Sequence, residues 1–509
     1  MTSLSCTNLI TMGRHIPTPF SLSLEENQGN SDLKIESIIR LVPGRRMVAL
    51  AQWQDRQVIV KLFFHATNWK RNMLRDLKGI NLLRQAKIPT PNVLLQTTVA
   101  GNNGGVLIIN YLKEATSLAK LFDEASKDDD RDKVMNLAIK AVALCHQAGL
   151  WQKDIHLDNF MLARGVVYVL DGADIRAEDA PLPGKTSLQN LALFFAQFIP
   201  AADENLEKFL SKYKEQSGVL NEIDSSEFEA TVIRVRRGRV ARYERKLFRS
   251  TSANRSEAGA NFFTVYDRSI HSESLEKFIS DPSSFINPEK LLKQGNTSTV
   301  ALVEIDERMF VLKRYNIKGF WHGISRMFRP SRAHHSWRNA LVLEMLGVAT
   351  PKPFLFLEER LLWVFRRRAY FLCEYIDAED LGKQWGRTET SQRGSEESGE
   401  QAVAESDSEV NNSSNIIEAG EIVGLFRRLF KIMSDYRISH GDMKATNFIV
   451  SNNKLYVLDL DAMRRHESRS ESSRKIRTDL ARFRKNWLGG SLESAVESMS
   501  KEIESLQAP

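Results

Sequence analysis

The chain matches itself. Asp154, Asn159 and Asp171 stand in the same spacing as Asp442, Asn447 and Asp459, each pair offset by 288 residues. Such self-similarity constrains architecture more than any single motif, because each copy of a repeated segment should fold as one unit. The surroundings repeat too. VIVKLFF, ending at Phe64, and FVLKRYN, ending at Asn316, are strand-like apolar runs carrying one lysine each, Lys61 and Lys313. A helical stretch follows each run; in the first, Met73, Leu77 and Ile80 share one face. Each then meets a proline turn, IPTP ending at Pro91 and VATP ending at Pro351, offset by 260. Strands LIINY and FLCEY close on Tyr111 and Tyr375. After a long helical region come KDIHLDNFML and GDMKATNFIV, then VYVLDGAD and LYVLDLDA. The extra length of the second copy falls largely in residues 387–415. That stretch has almost no apolar residues and reads as a disordered acidic insertion.

Each copy thus holds D-x-x-x-x-N and, twelve residues on, an aspartate closing a Tyr/Val/Leu strand. The first aspartate can accept a proton from, or orient, an attacking hydroxyl. The asparagine and the later aspartate are hard oxygen ligands for Mg²⁺ bridging nucleotide phosphates. A strand lysine can hold phosphate oxygens, fixed by an acid on the following helix. One D-x4-N arises often by chance, whereas two in register with their lysine strands do not. The order of parts is that of protein kinase-like phosphotransferases.

HGDMKATNF, His440 to Phe448, is similar to the catalytic loop of the lipopolysaccharide core kinases, the Kdo and heptose kinase group. The segment RYNIKGFWHGISRMFRPSRAHHSWRNALVLEMLGVATP resembles their small lobe. The resemblance covers about residues 35–225 and 285–490 and is sharper in the second copy. It implies an α+β chain of two tandem bilobal protein kinase-like domains, ATP with Mg²⁺, and an inner-core sugar hydroxyl as acceptor. Lys61 and Lys313 would contact phosphates, with Asp76 pairing the first lysine. Asp154 and Asp442 would be catalytic, Asn159 and Asn447 metal ligands, and Asp171 and Asp459 the principal metal aspartates. Lys444 matches the phosphate-facing lysine of Ser/Thr kinases, where the first copy has His156, read as structural. Asp479 matches a helical aspartate that braces the catalytic loop; Asn190 stands roughly there in the first copy. Glu374 and Tyr375, at the end of FLCEY, are assigned to the nucleotide.

Departures follow. Ser336 replaces the helix acid of the second copy, and Glu344 lies over two turns further along. LVPGRR, with Pro43 and Gly44, is a poor phosphate loop, whereas QGNTSTV, with Gly295 and Ser298, is a better cradle. D-G-A and D-L-D stand where D-F-G is usual, so Asp461 is a candidate to share metal binding with Asp459. LPGKTS, Leu182 to Ser187, lacks the context of a P-loop. GNNGG, Gly101 to Gly105, reads as a hairpin turn, and His334 and His335 as surface residues. On these grounds the second copy is the one expected to transfer phosphate. A Ser/Thr protein kinase and a non-catalytic kinase-fold scaffold remain as alternatives. HGD in place of HRD and the lack of an APE-like segment favour a sugar acceptor.

Composition bounds the rest. The formal charge of +7 is matched by residues 234–249, where eight basic residues face one acid, so the remaining chain is nearly balanced. This stripe fits an anionic glycolipid or membrane surface; without interleaved aromatics, nucleic acid is not expected. No apolar run reaches the ~18 residues of a membrane span. No secretory signal is read at the amino terminus. Cys6, Cys145 and Cys373 lie far apart in no metal-ligand spacing, so a cytoplasmic setting is expected, and the resemblance with the basic stripe implies a peripheral place on the inner membrane. Segments are expected as follows: 1–32, rich in Ser, Thr and Asn, flexible; 33–233 the first domain; 234–282 a basic segment and a Ser-rich linker over about 250–282; 283–495 the second domain; 496–509 a tail.

Overall fold

A computed structural model describes residues 2–26, 29–295, 297–316, 329–361, 365–385 and 419–506. The acidic stretch 387–415 lies outside them. The chain is mixed α+β and divides into two compact units, residues 1–198 with 202–236, and residues 199–201 with 237–509.

In the first unit, strands Gly29–Val42, Arg46–Trp53, Arg56–Phe63, Gly105–Asn110 and Val93–Val99 lie side by side in that order. Strand Phe20–Glu26 pairs with both ends of this row, at Gly29–Val42 and at Val93–Val99, and closes the sheet on itself. Residues 1–32 are therefore not the flexible arm expected. FSLSLEE alternates Phe20, Leu22 and Leu24 with polar residues, and all three are fully buried with Leu33, Val58, Val60 and Leu62 inside the closed sheet. The serines mask a strand of period two. Helix Cys6–Met12, capped by Ser5, adds Cys6 and Leu9 to the same core. GNNGG turns the chain between Val93–Val99 and Gly105–Asn110.

The helical part of this unit contains Asp128–Gln147, Gly184–Phe195 and Leu206–Ser217, packed around Ala138, Leu191, Phe194 and Tyr213. The basic stripe begins within helix Ser225–Glu244 and is not one solvated face. Arg236 is buried and forms two bonds of 2.7 Å with Asp203, and its Nη2 also donates to the Phe195 carbonyl. A buried bidentate pair of this kind fixes an element in place; truncating one partner would strand the other charge. Arg242, Arg245, Lys246 and Arg249 are exposed.

In the second unit the strand order is Leu291–Gln294, Ser298–Ile305, Arg308–Tyr315, Phe365–Glu374, Pro353–Leu361, Phe262–Asp267 and Asn254–Ala258. The Ser-rich segment expected to be a linker thus supplies two strands, with Val265 and Tyr266 buried against the row. The expected tail is also wrong: helix Glu493–Leu506 buries Val496, Met499 and Ile503 at i, i+3 and i+7. His334 is not a surface residue either. Its ring stacks on Phe248 with centroids 3.9 Å apart, and burial lowers its pKa to about 4. Burial likewise lowers His335, to about 3. All three cysteines are buried thiols. Among the described residues, no helix is long and apolar enough to cross a membrane.

Candidate functional site

Both units build a site where the lysine strand, the helix after it, the D-x4-N loop and the aspartate turn meet. In the first, Lys61 lies towards the end of Arg56–Phe63, and helix Trp69–Gln85 carries Asp76 on its buried side. The Lys61 ammonium reaches both Asp76 oxygens at 3.0 and 2.9 Å, and Asp171 Oδ1 lies 3.8 Å away. Asp76 is 1% exposed, so this bond matters more than a surface ion pair.

The turn after Asp171 approaches that helix backbone to backbone. A Cβ on Gly79 would lie 1.8 Å from the Gly172 carbonyl oxygen, and one on Gly172 would lie 2.3 Å from the Asp76 carbonyl oxygen. Only a glycine at each position permits this approach. Asp171 itself has φ 60°, as Asp459 has φ 52° in the second unit, a left-handed conformation that aspartate tolerates better than most residues. Each begins a single 3₁₀ turn, Gly172–Asp174 or Leu460–Ala462.

The D-x4-N loops share one construction. Asn159 Nδ2 donates to the Asp154 carbonyl at 2.7 Å, and Asn447 Nδ2 to the Asp442 carbonyl at 2.8 Å. With the amide nitrogen engaged on the loop, Oδ1 is the remaining ligand atom of each asparagine. The proline turns dock on the strand leading to the later aspartate: Thr90 Oγ1 donates to Val169 O, and Thr350 Oγ1 to Val457 O, both at 2.9 Å. Two residues before each loop aspartate, Gln152 donates to Leu170 O at 2.8 Å and His440 Nε2 to Leu458 O at 2.9 Å. Since His440 Nδ1 also accepts from the Asp442 N–H, its ring is the neutral Nε2–H tautomer. Burial, the largest influence, lowers its pKa. Arg176 and Arg464 each donate to two carbonyls of their turns, Ala173 and Ile175, and Asp461 and Met463.

The second site is charged differently. Lys313 lies 2.5 Å from Asp459 Oδ1 and 3.5 Å from Asp461 Oδ2, and Arg332 lies 2.7 Å from the same Asp461 oxygen. Burial opposes charge on Lys313, but Tyr315 and the two carboxylates outweigh it and raise the amine's pKa. Burial opposes ionisation of Asp459, but Lys313 outweighs it and the pKa falls; for Asp461 burial prevails and the pKa rises. Ser336 is buried and bonds the Tyr315 hydroxyl at 2.8 Å. Glu344 stands near Lys352 and Asp267, with its pKa raised by burial.

Asp479, on helix Arg469–Lys485, accepts from the His440 and Gly441 N–H groups at 2.6 and 3.0 Å. Asn190 acts differently in the first unit: it donates to the Gln152 carbonyl at 2.7 Å and is held by His146 at 3.0 Å. The Asp442 carboxylate meets Lys444 Nζ at 3.1 Å and Arg482 Nη1 at 3.4 Å. Asp154 is exposed, and among the described residues no ion pair reaches it. His156 stands 3.7 Å from Asp158.

No family model matches the chain. No curated protein matches it. Among solved structures it is similar to one described as the crystal structure of BubR1 kinase domain, with 18% identity and a TM-score of 0.25. That match covers 30% of this chain and 50% of the other.

Gly295 and Ser298 face each other across the hairpin beside the lysine strand, the Gly295 N–H donating to Ser298 O at 3.0 Å. Gly44 turns the hairpin between Gly29–Val42 and Arg46–Trp53. Glu374 and Tyr375 lie at the end of the strand beside Lys313's own; Glu374 accepts from the Lys352 N–H, and the Tyr375 hydroxyl donates to Asp377. Arg332, Arg482, Gln152 and His440 were not singled out for roles by sequence reasoning. Arg176 with Arg464, at the 288 offset, and Thr90 with Thr350, at 260, also went unread, although the repeat itself pairs them.

Proposed function

We propose that the chain is an ATP-dependent phosphotransferase built of two tandem bilobal protein kinase-like domains, acting on a sugar hydroxyl of the lipopolysaccharide inner core. One observation carries the phosphotransferase reading: in each unit a part-buried strand lysine, an asparagine with its amide nitrogen engaged on the loop, and a left-handed aspartate meet at one site. Asn159 with Asp171, and Asn447 with Asp459, offer one amide oxygen and one carboxylate each. Those hard donors suit Mg²⁺, whose other ligands are phosphate and water. Among the described residues, no three His, Cys, Asp or Glu side chains gather as a cation cage, in keeping with a site completed by nucleotide. Bound Mg·ATP would supply the phosphoryl group. Lys61 or Lys313 would hold its phosphates, and Asp154 or Asp442 would orient the acceptor hydroxyl.

The resemblance of HGDMKATNF to core sugar kinases supports the acceptor. Mg·ATP at a hundredfold excess over Kd is expected to stabilise the fold by about 2.7 kcal/mol. That corresponds to a melting shift of roughly 5–10 °C in a domain of this size. The shift should vanish in a Lys61→Ala/Lys313→Ala double variant; a wild-type melt indifferent to Mg·ATP would exclude the kinase reading. The acceptor is tested by mass spectrometry of core glycolipid from a deletion strain. One missing phosphate supports the glycolipid, and an unchanged mass excludes it.

A further inference from the structure

We infer that in the second unit Asp461, pinned by Arg332, is the positioning residue for Lys313, the part played by Asp76 for Lys61 in the first. The inference rests on the nucleotide-binding reading above and assigns a role within the same site.

Four positions differ together. By the offsets that relate the two copies, Asp76, Phe63, Asn72 and Ala173 correspond to Ser336, Tyr315, Arg332 and Asp461. Where the helix acid is lost, a carboxylate appears two residues past the turn aspartate. Asp461 is 6% exposed and 3.5 Å from Lys313. A carboxylate buried beside Asp459 would be unfavourable alone, and Arg332, the first residue of helix Arg332–Met345, meets it at 2.7 Å. That brings two cations together, and the Tyr315 ring accommodates both: Lys313 Nζ lies 5.2 Å from its centroid and the Arg332 guanidinium 5.0 Å. The Tyr315 hydroxyl is tied in turn to Ser336, which closes the position the acid would have occupied. Each of the four changes has a partner among the other three. Asp459 also touches Lys313, but a carboxylate needed by a cation cannot remain the lysine's standing partner, and Asp461 can.

The test uses the full chain with Lys61→Ala throughout, so that heat reports on the second unit, and titrates ATP with Mg²⁺ and again in EDTA. Asp461→Asn is expected to weaken ATP binding about tenfold under both conditions. Adding Tyr315→Phe with Ser336→Asp, which installs the first unit's arrangement, should restore affinity to within about threefold. Arg332→Gln, altering a part-exposed side chain, should weaken binding as Asp461→Asn does and decides the matter if the triple variant does not fold. ATP affinity unchanged by Asp461→Asn, or a loss confined to Mg²⁺ and absent in EDTA, overturns the inference; the second result would make Asp461 a metal ligand. If the Lys61→Ala parent binds no ATP while the wild type does, nucleotide binding belongs to the first unit and the inference fails while the kinase reading stands. If neither binds, both fail.

Discussion

Core glycolipid from cells carrying Asp442→Ala is expected to lack its phosphate, whereas Asp154→Ala leaves a substantial part of it. Both aspartates head a D-x4-N loop, but their surroundings differ. Asp442 is part-buried, with Lys444 at 3.1 Å, Arg482 at 3.4 Å and Asn447 Nδ2 at 3.3 Å around its carboxylate. Its loop is held by two N–H bonds to Asp479 and a donated bond from Arg482 to the Gly441 carbonyl. A carboxylate fixed in this way is pre-oriented, and such fixing is where much of a phosphotransferase's rate originates. Asp154 is exposed, His156 replaces the lysine, and Leu193 stands roughly where Arg482 does. Against this, the first unit has the assembled Lys61–Asp76 pair. Nucleotide binding and transfer need not be strongest in the same unit. Removing a general base typically costs ~10² or more in rate. The readout is core phosphate by mass spectrometry in a complemented deletion strain. Loss with Asp154→Ala and retention with Asp442→Ala would place transfer in the first unit.

The candidate site was legible where chemistry is tied to spacing. Asp154, Asn159 and Asp171 are close in the chain, so their geometry is local, and the offset partners Asp442, Asn447 and Asp459 repeat the asparagine-to-carbonyl bond and the left-handed aspartate. What closes the site from a distance was not legible. Arg332 reaches Asp461 across 129 positions of chain, and nothing in SRAHHSW marks that arginine for it. Arg482 lies one turn past Asp479 and meets Asp442 only because the helix presents both on one side. Element boundaries failed for another reason. Serine counted as a sign of looseness at residues 1–32 and 250–282, yet a strand with one buried face needs only alternate apolar residues, as FSLSLEE has, and NFFTVYD buries Thr264, Val265 and Tyr266 in succession, on both faces. Counting charge in the basic stripe could not show that Arg236 is buried on Asp203 while Arg234, Arg242, Arg245, Lys246 and Arg249 stay exposed.

Gly79→Ala should destabilise the first unit by about 2 kcal/mol, although alanine is the better helix former by ~1 kcal/mol. The added methyl would meet the Gly172 oxygen at 1.8 Å, its carbonyl carbon at 2.6 Å and its Cα at 2.8 Å. All three are backbone atoms, so no rotamer change relieves the clash, and helix Trp69–Gln85 or the turn after Asp171 must move. Overpacking of this kind costs typically 1–3 kcal/mol, with rigid backbone at the upper end. The second unit solves the same junction with a side chain: Asn339, at the offset position, donates to the Leu460 and Met463 carbonyls at 2.7 and 3.0 Å. Gly424 provides the contrast, lying within helix Ala419–Tyr436 with nothing within 4 Å of its added Cβ. Gly424→Ala should therefore gain a few tenths to ~1 kcal/mol. The measurement is thermal unfolding, with the two units' transitions followed separately because a two-unit chain need not melt in one step. A fall of roughly 4–8 °C is expected in the first unit's transition for Gly79→Ala. A rise matching that of Gly424→Ala would mean that helix and turn do not abut. Because Asp76 rides on the same helix, the displacement should also loosen its hold on Lys61. The first unit would then lose affinity for Mg·ATP together with stability, whereas a purely structural glycine would lose stability alone.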